Sequence, residues 1–159
     1  MTKQIIKLAL ATLLFYAVGR LAYQQFYQFT ISAIESFSAV PLKFFGKFPR
    51  LYFGDPVFGL IIASIPVAVF LTNLIAKERN KFLIKTSLIY AFSFTITYFF
   101  ICWEKSQAFK AWSLTYKEGQ ELSYNLQFVH LNQLFLLVAV IATALTVGVL
   151  LLRLKTEES

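Results

Sequence analysis

At 159 residues the chain has room for one soluble domain, yet 58% of it is hydrophobic, only 14% is charged and its mean hydropathy is +0.65, more apolar than a water-soluble core requires. A single cysteine excludes an internal disulfide and a paired-thiol redox motif, and with a single histidine no Cys/His zinc cluster can be built; no metal, haem, iron–sulfur or other cofactor site is read. The net charge of +7 is spread over termini and loops without a continuous stripe, which points to membrane orientation and anionic lipid headgroups and away from nucleic acid.

These features, with eighteen Phe and eight Tyr, predict an all-α membrane protein forming a single polytopic domain over 1–159. Four transmembrane helices are expected at about 5–28, 57–76, 84–103 and 128–152, with a short interfacial amphipathic helix between the first and second.

Lys3 and Lys7 precede the apolar run Leu8 to Val18, a pattern shared with signal peptides. No A-x-A-like cleavage site follows and apolar and aromatic residues continue to Phe29, so an uncleaved first span is expected. Arg20 falls near its far interface, where a guanidinium reaches headgroups, and Tyr23 and Tyr27 join the aromatic belt.

Thr30 to Pro56 is Phe-rich but too interrupted to span. Lys43, Lys47 and Arg50 recur at i, i+4 and i+7, with Phe44, Phe45, Phe48 and Tyr52 opposite, which predicts an interfacial helix with a basic face and Pro41 in its first turn. The second span carries Gly59 and Ala63 in a small-xxx-small pair and a mid-membrane Pro66, where a kink is expected.

Lys77-Glu78-Arg79-Asn80-Lys81 is the polar turn of a transmembrane hairpin. Its density of basic residues, with Lys85 beyond, places it in the cytoplasm and both termini with it. The abundance of Phe, Lys and Ile suits an AT-rich bacterial genome, hence a bacterial inner membrane.

In the third span Thr86, Tyr90, Ser93 and Thr97 fall on one stripe, which Glu104 continues at the outer end. Hydrocarbon satisfies no hydroxyl, so the stripe either packs against a helix or lines a polar path. Glu104 to Gln127 reads as a polar connection, and the fourth span shows Ala139, Thr143 and Thr146 as a further packing face.

No Asp, Glu, Lys or Arg lies deep in a span, which counts against a self-contained pump, and the P-loop, zincin and serine-hydrolase motifs are missing. Cys102 and His130 both fall at the outer interface, the minimum pair for acyl transfer, though an inert cysteine and a solvated histidine account for them more simply. The expected function is therefore a non-enzymatic membrane subunit or accessory protein, working through helix packing with a membrane-protein partner or in a homo-oligomer. The alternatives are a small channel or carrier for a neutral solute or lipid, lined by the hydroxyl stripe with Pro66 as hinge, and, more remotely, an outer-face Cys–His acyl-transfer enzyme.

Overall fold

The computed structural model describes residues 2–39, 54–75, 83–114 and 130–157. Over these the chain is helical: α1 (Thr2–Leu21), α2 (Tyr23–Ser38), α3 (Pro56–Ile75), α4 (Leu83–Ser113) and α5 (Leu131–Glu157). Among the described residues four segments, Lys3–Leu21, Pro56–Ile75, Ile84–Ala111 and Leu131–Leu152, are long and apolar enough to cross a membrane. The expected basic face of Lys43, Lys47 and Arg50 and the Lys77 turn lie outside the described residues.

The expected first span, 5–28, is divided in the structure. Its helix bends at Ala22, where φ is −95° and ψ is 9°, although Ala22 N–H still donates to the Val18 carbonyl and Phe26 N–H to the Ala22 carbonyl. No proline or glycine sits there. The bend arises because the two halves have different partners: α1 packs on α3 and α2 packs on α4. A single straight helix cannot follow both. The polar, aromatic-rich α2 then stops at Ala39, a non-glycine residue in the left-handed region (φ 55°) whose N–H bonds to the Glu35 carbonyl.

α1 crosses α3 at a glycine pair. A Cβ on Gly19 would lie 3.0 Å from Gly59 Cα and 2.9 Å from Ile62 Cβ, and one on Gly59 would lie 2.7 Å from Arg20 Cγ and 3.0 Å from the Tyr16 ring. Only hydrogen fits between these backbones, which is how small residues draw membrane helices together. Gly59 and Ala63, paired in the sequence, are both buried on α3. Pro66 lies within α3, which continues as helix on both sides of it.

α4 runs for 31 residues, about 46 Å at 1.5 Å per residue, well beyond a hydrocarbon core of about 30 Å. The segment after Glu104, expected as a connection, thus begins as more helix, with Ser106 and Phe109 buried. α2 packs along α4 just before this extension: Phe29 stacks on Tyr98 at 6.0 Å and Phe37 meets Phe99 edge-on at 6.3 Å. Phe135 of α5 gathers the core, with Phe58 at 4.9 Å, Phe26 at 5.4 Å and Tyr98 at 5.6 Å. Each well-oriented aromatic pair contributes about 0.5–1.5 kcal/mol.

Candidate functional site

The hydroxyl stripe of α4 turns inward. Thr86, Tyr90, Ser93 and Thr97 are all buried, whereas Glu104 is exposed and separates from them. Thr86 Oγ1 donates to Asn73 Oδ1 of α3 at 3.3 Å. The Tyr90 hydroxyl donates to the Ala139 carbonyl of α5 at 3.4 Å, and Thr143 Oγ1 donates to the same carbonyl at 2.7 Å. Inside hydrocarbon such bonds replace the water that a hydroxyl loses, so the stripe joins α4 to α3 and α5. On α5, Ala139 and Thr146 are buried and Thr146 Oγ1 bonds back to Ala142 at 2.7 Å.

A second polar group forms where α1, α2, α3 and α5 meet. Asp55 is the N-cap of α3: its Oδ1 accepts from Val57 N–H at 2.8 Å, its carbonyl accepts from Gly59 N–H at 3.1 Å, and Pro56 follows it in the first turn. Asp55 Oδ2 accepts from Asn132 Nδ2 of α5 at 2.6 Å. Arg20, at the end of α1, donates through Nε to the Gly54 carbonyl at 3.3 Å and lies 5.9 Å from the Tyr16 ring centre. Burial and, secondarily, the Asp55 carboxylate push the Tyr23 phenol above its ordinary value of 10.0. Asn132 Oδ1 is the one buried side-chain N or O atom without a hydrogen-bond partner among the described residues.

A third polar contact joins α2 to α4, between the Thr30 and Tyr98 hydroxyls at 2.9 Å. Cys102 is fully buried in the aromatic core, whereas His130 is exposed at the start of α5. A nucleophile must reach its substrate, and this thiol has no access. Among the described residues no group of His, Cys, Asp and Glu could hold a metal ion.

Arg20 and the α4 stripe were visible as outliers in apolar runs, but Asp55, Asn73 and Thr30 were not singled out. Asp-Pro at a helix start was a usable capping signal, and Asn73 was a strongly polar amide close to the Lys77 turn. No protein-family model, curated protein or solved structure matches the chain.

Proposed function

We propose that the protein is a non-enzymatic integral membrane subunit or accessory protein that acts through helix packing, in an oligomer or a larger membrane complex. The observation that carries this reading is Gly148. A Cβ built there meets nothing within 4 Å, in contrast to the crowded surroundings of Gly19, Gly54 and Gly59. Glycine inside a helix costs about 1 kcal/mol relative to alanine, and contacts within this chain give Gly148 no compensating close approach. One turn earlier Ala144 is exposed, so the two form a shallow small-xxx-small groove on the outside of α5. Ser87, Ala91 and Thr95 repeat the spacing on an exposed face of α4.

The hydroxyl stripe lends less support to a path for solute, because its members are buried and two of them bond to neighbouring helices. The buried thiol removes the main support for acyl transfer. The dense basic turn, with an even number of spans, favours both termini in the cytoplasm of a bacterial inner membrane.

Cross-linking in membranes tests the packing reading. Ala144→Cys carrying a photoactivatable maleimide should yield a discrete adduct, of this chain with itself or with one partner, that the same probe at Leu13→Cys does not give. Leu13 is 65% exposed on α1 and serves as a lipid-facing control. Equal labelling from both positions would remove the support.

A further inference from the structure

We propose that a cavity between α2, α4 and α5 binds the headgroup and first acyl segment of an anionic phospholipid. Its volume is about 160 Å³. The walls are aliphatic: Ile34 from α2, Ile101 from α4, and Leu134 and Leu137 from α5. The first three are buried, whereas Leu137 is 50% exposed and joins the cavity to the outer surface of the bundle. Lys105, His130 and Gln133 line the same space, and none of its described lining residues is acidic.

An ammonium, an imidazole and an amide in one small space form a donor set for a phosphate or carboxylate. His130 and Gln133 stand at the start of α5, where Leu134 N–H bonds to the His130 carbonyl at 3.0 Å and begins the helix, and Lys105 reaches the space from α4. The partial positive charge of that helix end acts in the same direction as Lys105. Binding thus divides by chemistry, with the anion at Lys105 and His130 and methylene groups against the aliphatic walls.

Size decides what kind of anion fits. Drug-sized ligands occupy pockets of about 300–1,000 Å³, so this cavity takes only part of a molecule. Water, at about 30 Å³ each, would fill it with roughly five molecules, but four aliphatic walls offer them few hydrogen bonds. The rest of the ligand must lie outside, past Leu137 and along Val140, itself 59% exposed. On a helix apolar enough to cross a membrane that surface faces acyl chains, so a molecule with one end in the cavity and its tails in the bilayer fits both environments.

The test is native mass measurement on the full chain, delipidated in mild detergent and titrated with phosphatidylglycerol or phosphatidylcholine. Both lipids offer the same phosphate, but the fixed positive charge of choline is repelled by Lys105, so one phosphatidylglycerol should be retained about tenfold more tightly than phosphatidylcholine, a difference of about 1.4 kcal/mol. Lys105→Gln should abolish that preference with helical content unchanged, and Leu137→Trp, which fills the opening, should weaken both lipids. Lys110→Gln, on the exposed surface of α4, should change neither. Equal affinity for the two lipids, or equal losses in Lys105→Gln and Lys110→Gln, would overturn the proposal. Displacement of the lipid by inorganic phosphate at matched concentration would overturn it too, by making the cavity a site for free anions.

Discussion

Gly59, in the first turn of α3, and Gly148, in the second half of α5, each lie inside an apolar span, yet their surroundings are opposite. Gly59 lies against Arg20, Tyr16 and Gly19, where an added methyl group would collide, while Gly148 borders open space. The first is explained by contacts within one chain; the second is not. A membrane helix has little hydrophobic reason to associate, so close approach at small residues and hydrogen bonds must hold α1 to α3 and α4 to α5. The difference separates a surface that this chain uses on itself from one that its own described contacts leave open, which is the surface the proposed function assigns to another chain.

The comparison breaks most readily at the α1–α3 crossing. Gly19→Val should cost about 3 kcal/mol, the upper end for overpacking, because the obstruction includes the Gly59 backbone and cannot rotate away. Thermal aggregation in detergent measures it, and a melting temperature within a degree or so of wild type would mean that α1 is not held as described. At the polar junction Asp55→Ala should cost about 2 kcal/mol, by removing the α3 cap and the acceptor for Asn132. Asp55→Asn keeps a capping oxygen and should lose less; equal losses would assign the effect to the Asn132 contact.

A double-mutant cycle on Asn73→Ala and Thr86→Val should give a coupling of about 0.6 kcal/mol, the average for hydrogen bonds between membrane helices. A coupling of zero would leave the buried Thr86 available for another use. Smaller still is the alkaline effect of Tyr23. Its phenol is held neutral in the fold, so the contribution is intact below pH 10, the value in an unfolded chain, and is lost as pH rises past 10 toward the raised folded value. Tyr23→Phe should flatten that part of the melting profile, and an unchanged profile would show that Tyr23 does not govern it.

The spans of α3 and α5 were legible because long runs without Asp, Glu, Lys or Arg end at basic residues: the Lys77 turn after one, Arg153 and Lys155 after the other. The bend at Ala22 was not, since nothing local breaks the helix there. It follows from packing on two different helices, α1 on α3 and α2 on α4, and beside that junction only a glycine fits at position 54, where a Cβ would lie 3.1 Å from Tyr23 Cβ and closer still to the Arg20 carbonyl. The extension of α4 past Glu104 was hidden because Ser106 and Phe109, which it buries, stand among charged and polar residues in a stretch that reads as a connection. Period and composition identified the stripe from Thr86 to Thr97 but not the direction it faces. That depends on Asn73 and Ala139, which no local pattern pairs with it. Asp55 and Asn132 likewise meet only once four helices are packed.

On the function proposed here, Gly148 serves contacts between chains and not within one. Native mass measurement of wild type and Gly148→Leu, side by side with their melting temperatures, tests it most directly. The account predicts a wild-type assembly larger than one chain, from itself or a bound partner, and a Gly148→Leu variant that melts no lower as a single chain yet has lost that assembly. A wild-type protein that is monomeric without a partner, or an assembly that Gly148→Leu leaves intact, would contradict it.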